Sequence, residues 1–491
     1  MLLTPLCYLA SCLALAAAQT SNPTLSAPGN ASQTSGQSFP SPSSSVAPDG
    51  ITGGTAGGGF SVPALYFDDG RYGPVAEIVH LYNDQWPIGL AVYAQEGGQK
   101  SNLFACYTRG DYAYTVGKIV NLTAEQAWPD ASINSPESLI NQTISNLTGY
   151  TMATQTTDKL ISTISNLTGY TMATQTTDKL ISVQALYTDP QGRLWALDTG
   201  RPTVMTAGQK STSAYAVVGG PKLIRFDAPT GKVEQTITFP GDVHFPDSSM
   251  NDVRFDLRAN VTESGQGIAY VVDSSNEGRN AVIVVDLGTG HSWRRLEQHP
   301  SMLHKYNNRA SYAGVPTYID IRGQQELSNK EGFDGIALSP DGQWLYYSPL
   351  VSQYLYRVPT SVLLRDNGAD GADRHQAELE ASYAVQNLGQ KGSQTNGFCE
   401  SDGAIYLLAP EQSAIFRWNY ETSRIEPFAR DPRFFWLDSC VIADDGYLYA
   451  NSNQLPKQAQ WNNGTERRQK PGVMWRVKLP GDEKRITSSL S

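Results

Sequence analysis

The sequence predicts an all-β fold, a six-bladed β-propeller with four-stranded antiparallel blades around a central channel. Three observations predict it: six spaced hairpin patterns, a second strand pair after most of them, and many turn formers and aromatics, with 44 Gly, 28 Pro and 25 Tyr among 491 residues. Two hairpins per unit supply the four strands of one blade. An open β-sandwich is the alternative, but it does not account for six spaced hairpins.

The chain begins with a short apolar run, MLLTPLCYLASCLALAAAQT, which contains three consecutive alanines near its end. This pattern is typical of a secretory signal peptide, which we place at residues 1–18. Residues 19–58 are almost entirely Ser, Thr, Gly, Pro, Ala and Gln, and such a composition buries too little apolar area to fold, so we expect a disordered leader. The propeller is expected over residues 59–482 and a C-terminal tail over residues 483–491.

A secreted, extracellular glycoprotein is the expected product. No later segment approaches the roughly 20 apolar residues of a membrane helix, so we expect no membrane association once the signal is removed. The net charge is −10 and no basic run is present, which argues against nucleic acid as a partner. The oligomeric state is not indicated. Possible glycan acceptors are the seven N-x-S/T sequons at Asn30, Asn121, Asn141, Asn146, Asn166, Asn260 and Asn463.

The six hairpin patterns share one arrangement: a short apolar strand, a polar turn that contains Gly, and a second strand rich in Tyr, Leu, Trp and Ile. The closing contact of the ring is expected between AEIVHLY, from Ala76, and the last blade near VMWRVKL. A perfect 20-residue duplication occupies residues 143–182 and is expected in a loop, where extra length is tolerated. The hairpins begin at Ile88, Val183, Met250, Phe333, Thr395 and Leu437.

Several ordered motifs carry a resemblance to a known family: LWALDTG, MNDVRFD, YVVDSSNEGRNAVIVVDLGTGHSWRRLEQHPSM, DGIALSPDGQWLYYSPLVSQYLYRVPTSVLL, WLDSC and DGYLYANSNQL. The chain resembles the yellow/major royal jelly protein family from about Trp86 to Pro480. The resemblance implies a secreted six-bladed propeller and says little about activity, because family members serve in pigment formation, amine binding or nutrition. The chain departs from the family pattern at Asn396, where relatives tend to have Asp, and at Leu437, where a Pro is usual.

Four polar residues precede the first strand of successive hairpins, and in a propeller such positions converge at one mouth of the channel. Asp198 and Asp273, at the ends of returning strands, are expected nearby. Oxygen-rich side chains from several blades would suit Ca²⁺, which takes six to eight oxygen ligands. Alternatively, these side chains bind backbone N–H groups in turns. The proposed calcium or ligand ring consists of Asn251, Asp334, Asn396 and Asp438.

Aromatic residues near the same strand ends, Trp195, Trp436 and Tyr347, either wall a ligand pocket or pack between blades. Among the histidines, His299 is the candidate for proton transfer, although a single loop histidine is more often structural. After signal removal three cysteines remain, which suggests one disulfide and one thiol. Cys399 and Cys440 lie near equivalent strand starts in consecutive blades, but their opposite strand parity leaves that pairing open.

Three functions follow as hypotheses. The first is binding of a small aromatic, amine or phenolic metabolite at the channel mouth. The second is an isomerase or tautomerase of pigment or secondary metabolism, with Asp334 or Asp438 as base. The third is a calcium-dependent lactonase-like hydrolase, against which the lack of Glu at the converging positions counts. Motifs of zincins, serine hydrolases, structural zinc sites and nucleotide hydrolases are absent from the sequence.

Overall fold

A computed structural model describes residues 70–93, 102–108, 113–134, 179–201, 203–206, 209–212, 216, 219–245, 247–275, 278–312, 314–319, 327–365 and 371–486. Regular structure there is nearly all sheet, and six four-stranded antiparallel sheets form the blades. The predicted six-bladed β-propeller is therefore confirmed. The predictions that lie outside the described residues are the signal peptide, the leader, residues 143–178 of the duplication, and the sequons at Asn30, Asn141, Asn146 and Asn166.

The strands follow one another in chain order. Those of the first half are β1 (Ala76–Tyr82), β2 (Leu90–Tyr93), β3 (Asn102–Cys106), β4 (Val116–Ile119), β5 (Glu125–Ala127), β6 (Val183–Thr188), β7 (Arg193–Thr199), β8 (Thr203–Thr206), β9 (Gln209–Thr212), β10 (Pro221–Asp227), β11 (Val233–Thr238), β12 (Met250–Asp256), β13 (Ile268–Asp273), β14 (Ala281–Asp286) and β15 (Ser292–Arg295). Those of the second half are β16 (Ser311–Tyr312), β17 (Val315–Pro316), β18 (Tyr318–Ile319), β19 (Leu327–Ser328), β20 (Phe333–Leu338), β21 (Trp344–Pro349), β22 (Tyr354–Pro359), β23 (Gln386–Gln390), β24 (Phe398–Glu400), β25 (Ala404–Ala409), β26 (Ala414–Asn419), β27 (Arg424–Arg430), β28 (Leu437–Ile442), β29 (Tyr447–Ser452) and β30 (Gly472–Lys478). The α-helices of the described residues are α1 (Thr360–Leu363) and α2 (Gly371–Ala384), and short 3-10 helices occur at Ala259–Val261, Pro410–Gln412, Leu455–Lys457 and Ala459–Trp461.

Each blade uses its first strand as the innermost one. Blade 1 contains β2–β5, blade 2 contains β6, β7, β10 and β11, and blade 3 contains β12–β15. Blade 4 contains β20–β23, blade 5 contains β24–β27, and blade 6 contains β28–β30 with β1. The inner strands contact one another in the order β2, β6, β12, β20, β24, β28 and back to β2, so the ring is closed.

The closing strand joins the two ends of the propeller. β1 pairs antiparallel with β30, from Ala76 opposite Val477 to Tyr82 opposite Gly472, as the sequence predicts. The Tyr82 hydroxyl also donates a 2.9 Å hydrogen bond to Asn451 in β29, the strand on the other side of β30. Because β1 supplies the outermost strand of blade 6, the last hairpin does not end in an unpaired apolar edge.

Apolar side chains fill the spaces between adjacent sheets. β13 and β25, the second strands of blades 3 and 5, are buried along their whole length, since both of their faces meet neighbouring blades. Trp195 of blade 2 illustrates the packing, with its ring 4.8 Å from that of Phe255 in blade 3. Among the described residues, no helix combines the length and the apolar character needed to cross a membrane.

The folded body continues past the predicted limit at residue 482. Asp402 and Lys484 are joined by two 3.0 Å hydrogen bonds, one from each backbone N–H. Arg485 forms an antiparallel bridge with Ser401, and Ile486 is buried. Residues 483–486, which the sequence analysis assigned to a C-terminal tail, therefore pack against the propeller.

Candidate functional site

The inner strands and the C-terminal segment enclose a cavity of about 70 Å³ on the propeller axis. A cavity of this size holds several waters or a compact organic group. We call the end where the inner strands begin the mouth, and the opposite end, where Arg485 and Ile486 lie, the floor. All six blades contribute lining residues, so the cavity is the central channel that the fold predicts.

One residue from each blade meets at the mouth. In β6, β12, β20 and β28, the register with the neighbouring strand shifts directly after the first pair, which is a β-bulge. Bulges commonly re-aim a side chain, and here the bulged residues line the cavity. The four residues predicted from the sequence come together there, whereas blades 1 and 2 contribute two that were missed. The mouth ring consists of Ile88, Gln184, Asn251, Asp334, Asn396 and Asp438.

A chain of side-chain hydrogen bonds runs around one side of the mouth. Thr108 donates to Gln184 (3.0 Å), and Gln184 donates through Nε2 to Asn251 Oδ1 (3.0 Å). Asn251 Nδ2 in turn donates to Asp334 Oδ1 at 2.5 Å. The chain links blades 1 to 4 and presents an amide donor to the Asp334 carboxylate, which is 8% exposed.

The other side of the mouth joins blades 5, 6 and 1. Asn396 Nδ2 donates to the Leu437 carbonyl at 2.6 Å, while its buried Oδ1 has no hydrogen-bond partner among the described residues. Trp436 Nε1 donates to Asp438 Oδ1 at 3.2 Å. The Ser439 hydroxyl donates to the Ile88 carbonyl at 2.5 Å. These bonds hold the partly buried Asp438 carboxylate at the mouth.

A charged cluster lies deeper in the channel. Arg254 donates from Nε to Glu400 Oε2 and from Nη1 to Asp252 Oδ1, both at 3.0 Å, and also bonds the Phe398 carbonyl. Burial raises the pKa of Asp252 and of Glu400, and the neighbouring guanidinium of Arg254 opposes that rise. Two carboxylates therefore share one guanidinium inside the channel.

A buried lysine stands behind the mouth. Lys391 is fully buried and donates from Nζ to the carbonyls of Ser352 and Ser393. Burial lowers its pKa to about 7, and the charges of Glu411 and Asp334 oppose the shift. Lys391 does not line the cavity, so its effect on the channel is through the electrostatic environment of Asp334.

Asp198 and Asp273 lie outside the channel lining and hold loops instead. Asp198 accepts hydrogen bonds from the backbone N–H groups of Ile181, Ser182 and Gly200 and is 3.3 Å from Lys222 Nζ. Asp273, in the same way, accepts from Ser248, Ser249, Ser275 and Arg294. Both are fully buried at the ends of returning strands, where carboxylates fix turns, so the expected approach to the ligand ring is not observed.

The aromatic residues predicted for the ligand pocket pack against other side chains and do not line the cavity. Trp195 donates to Asp189 and packs against Phe255, and Tyr347 lies between Phe333 and Tyr356. Trp436 packs in an apolar cluster with Leu350 and Leu455, which line the cavity, and donates to Asp438, but it does not itself line the cavity. The aromatic residue that does line the channel was missed by the sequence reasoning. It is Tyr187, which carries no signal that separates it from other strand tyrosines.

His299 lies away from the channel. Its Nδ1 is 2.7 Å from the Ser301 hydroxyl, which is itself 2.7 Å from the Tyr347 hydroxyl. Burial, followed by the charge of Lys305, lowers the pKa of His299. Since His299 does not line the cavity, these contacts favour the structural role over proton transfer to a ligand there.

The three cysteines among the described residues divide into one disulfide and one thiol. Cys399 and Cys440 form a disulfide that ties the inner strands of blades 5 and 6 together in the channel wall. From strand position alone, the two cysteine side chains were expected on opposite faces of their strands. The β-bulge before Ser439 reverses the face to which the following side chains point, so Cys440 can reach Cys399. Cys106 is a buried free thiol, and burial raises its pKa.

The predicted calcium ring combines two carboxylates with two amides. Among the described residues, no group of three or more His, Cys, Asp or Glu side chains is arranged to hold a metal ion. Within the ring, Asn251 turns its amide nitrogen to Asp334 and its oxygen to Gln184. Two of the four predicted ligands thus bond each other, and calcium stays a prediction.

The fold and site define a six-bladed β-propeller with a polar, predominantly acidic central channel. A sequence profile described as "Major royal jelly protein" matches residues 181–482, more than half of the chain. The protein therefore belongs to the major royal jelly protein family.

Relatives from Apis mellifera match at low identity. Major royal jelly protein 3 is 28% identical over 172 residues, which is 35% of this chain and 27% of the relative. Major royal jelly protein 5 is 26% identical over 239 residues (47% and 33%), and major royal jelly protein 1 is 26% identical over 237 residues (48% and 48%). The chain therefore spans about half or less of the length of these relatives.

Two solved structures match the chain at low identity and low TM-score. A gluconolactonase from Xanthomonas campestris matches with a TM-score of 0.40 and 12% identity, over 84% of this chain and 97% of that chain. Virginiamycin B lyase from Staphylococcus aureus matches with a TM-score of 0.39 and 9% identity, over 82% and 100%. At this level of similarity, activity has to be argued from the channel of this chain itself.

Proposed function

We propose that this protein is a secreted propeller that binds a small aromatic amine in its channel, with the ammonium group at the mouth beside Asp334 and Asp438. The observation that carries the proposal is the charge of the lining: five carboxylates face two guanidiniums. A narrow channel lined by one excess sign of charge concentrates ligands of the opposite sign. The charged lining residues are Asp252, Glu331, Asp334, Glu400, Asp438, Arg254 and Arg485.

Apolar side chains at the mouth support an aromatic ligand body. Leu350, Leu455 and Ile88 line the cavity next to the two mouth carboxylates. A pocket of apolar side chains with a few polar groups that fix orientation is the common design of small-molecule sites. A ring packed on these residues places its ammonium group within the reach of Asp334 or Asp438.

Secretion is part of the same proposal. The disulfide between Cys399 and Cys440 suits an oxidising compartment. The sequons within the described residues, Asn121, Asn260 and Asn463, are all exposed and so are accessible for glycosylation. Together with the signal-like N-terminal sequence, these features support export.

Calorimetric titration of the purified protein with phenethylamine tests the amine site. We expect saturable binding that weakens about 10- to 100-fold in Asp438→Asn and Asp334→Asn, because a hydrogen bond to a charged group contributes roughly 1.5–3 kcal/mol. Asp444→Asn is the matched control, since it removes the same charge from an exposed turn of blade 6. Equal weakening in Asp444→Asn, or no binding by the wild type, would contradict the proposal.

A further inference from the structure

The C-terminal segment forms the floor of the channel. Its Glu483 carboxylate accepts hydrogen bonds from Ser401 (2.7 Å), Tyr406 (2.6 Å) and Arg417 (3.0 Å), all in blade 5. Ile486 is 5% exposed and belongs to an apolar cluster with residues of blades 3 and 4. The segment is therefore fixed on both sides of Arg485, and the position of that guanidinium is built into the fold.

Arg485 lies in the channel wall with unused hydrogen-bonding capacity. The residue lines the cavity, is 8% exposed, and has a buried Nη2 without a hydrogen-bond partner among the described residues. Its guanidinium lies 5.2 Å from the ring centre of Tyr187, another lining residue. A buried donor that lacks a partner is costly, and an acceptor group placed beside it removes that cost.

Arg254, the other arginine that lines the channel, differs from Arg485 because its guanidinium is bonded to neighbouring groups. Arg254 is engaged by Asp252, Glu400 and the Phe398 carbonyl, so its charge is compensated within the channel wall. The carboxylates of Asp252 and Glu400 are occupied by the same contacts. An acceptor that enters from the mouth therefore finds its unsatisfied donor at Arg485.

We propose that Arg485 is an anion subsite at the floor, which binds the carboxylate of a ligand whose amine lies at the mouth. This inference rests on the proposed amine function and narrows its ligand class. From Asp438 at the mouth to Ile442 near the floor, four strand residues at about 3.3 Å each span about 13 Å. An α-amino acid carries both charges on one carbon and is too short to reach both ends. The ligand is an aromatic amine with its carboxylate on the opposite side of the ring.

Three probes test the subsite: phenethylamine, 4-(2-aminoethyl)benzoate and benzoate. All three contain a benzene ring. Phenethylamine carries only the amine, benzoate only the carboxylate, and 4-(2-aminoethyl)benzoate carries both. Affinities are measured by calorimetry on wild type, Arg485→Gln, Arg485→Lys and Lys484→Gln, with circular dichroism as the check of folding. Lys484→Gln is the matched control, because it removes the neighbouring positive charge from an exposed side chain of the same segment.

We expect 4-(2-aminoethyl)benzoate to bind at least 10-fold more tightly than phenethylamine to wild type and Lys484→Gln. In Arg485→Gln the two affinities converge, and Arg485→Lys keeps part of the difference because it retains a cation. Phenethylamine binds wild type and Arg485→Gln alike, since it has no group at the floor.

Two outcomes overturn the subsite while leaving the amine site in place: phenethylamine binds but the carboxylate gives no advantage, or the advantage persists in Arg485→Gln. A different result separates the two proposals in the other direction. If benzoate binds wild type and Lys484→Gln but not Arg485→Gln, while phenethylamine binds none of them, the anion subsite stands and the amine function fails. Absence of binding by all three probes overturns both.

Discussion

Replacing Arg254 by Met tests whether the channel cluster is held together by charge compensation. The substitution keeps an unbranched apolar side chain of similar length and removes the guanidinium that bonds both Asp252 and Glu400. The side chains of Arg254 and Glu400 are each 6% exposed, whereas that of Asp252 is 23% exposed to the cavity. Glu400 is therefore left as a buried carboxylate without its guanidinium, and Asp252 retains some contact with water.

The expected cost follows from this burial. Removing one partner of a buried ion pair destabilises a protein by about 3–5 kcal/mol. Because Asp252 is partly hydrated, we expect the lower end, about 3 kcal/mol at pH 7. For a propeller of roughly 400 residues, an unfolding entropy of about 2 cal/mol/K per residue converts this to a melting temperature lower by about 3–4 °C.

The loss has a defined pH dependence. Burial raises the pKa of Asp252 and Glu400 in the native state, so the native protein holds these protons more tightly than the unfolded chain does. Stability from these groups is therefore present at low pH and is lost as the pH rises through the native pKa values. Without Arg254, which opposes the rise, both pKa values move further up, so the loss of stability is largest at high pH. At low pH, where both carboxyl groups are protonated, the variant approaches the wild type.

Thermal and urea unfolding of Arg254→Met at pH 4, 5.5, 7 and 8 measure these effects. Arg254→Met with Glu400→Gln should recover most of the loss at pH 7, since the buried charge is gone. Arg365→Met is the matched control, because its pair with Glu380 is more than 40% exposed on both sides and exposed pairs contribute little to stability. A loss that is equal at pH 4 and pH 8 would refute charge compensation and indicate lost packing instead.

Three further predictions concern the disulfide, a buried histidine and calcium. Cys399 and Cys440 close a loop of 41 residues in sequence separation, so the double substitution to Ala should cost about 4 kcal/mol and lower the melting temperature by about 4–5 °C; an unchanged melting curve would contradict this. Burial lowers the pKa of His244 to about 4, so its contribution to stability is lost as the pH falls from about 6.5 toward 4, and His244→Gln should flatten the urea-unfolding profile in that window; an unchanged slope would refute it. Because Asn251 turns its nitrogen to Asp334, we expect EDTA to leave the melting temperature unchanged, and a drop that CaCl₂ reverses would establish the ring as a calcium site.

The blade architecture was predictable because the inner hairpins are the most buried parts of each sheet. Their first two strands face neighbouring blades on both sides, so the sequence shows compact runs of apolar residues around a Gly turn. The outer strands are harder to recognise: β5 (EQA) and β23 (QNLGQ) are short, polar and partly exposed. The faint hairpin of blade 1 was nevertheless identified correctly, since β2 and β3 pair across its Gly-Gly segment.

The sequence predicts the site residues whose place follows from their position in the blade repeat. It does not predict the site residues whose place depends on contacts between segments far apart in the chain. Asn251, Asp334, Asn396 and Asp438 share one place in the repeat, and the repeat alone brings them to the mouth. Arg485 lies outside the repeat, and its place at the floor depends on contacts of its neighbours with blade 5. Those contacts join residues far apart in sequence, for which a single sequence carries no local signal.

The departure from the family pattern at Asn396 has a physical reason in the ring. Its Nδ2 donates to the Leu437 carbonyl of the next blade at 2.6 Å, and the side chain is only 2% exposed. An ionised Asp at this position has no donor and would set a buried negative charge against a carbonyl oxygen. The amide at Asn251 likewise donates to Asp334. Amides at these two positions thus join blades and leave the negative charge of the mouth ring to Asp334 and Asp438, the two residues at which a cationic ligand is expected.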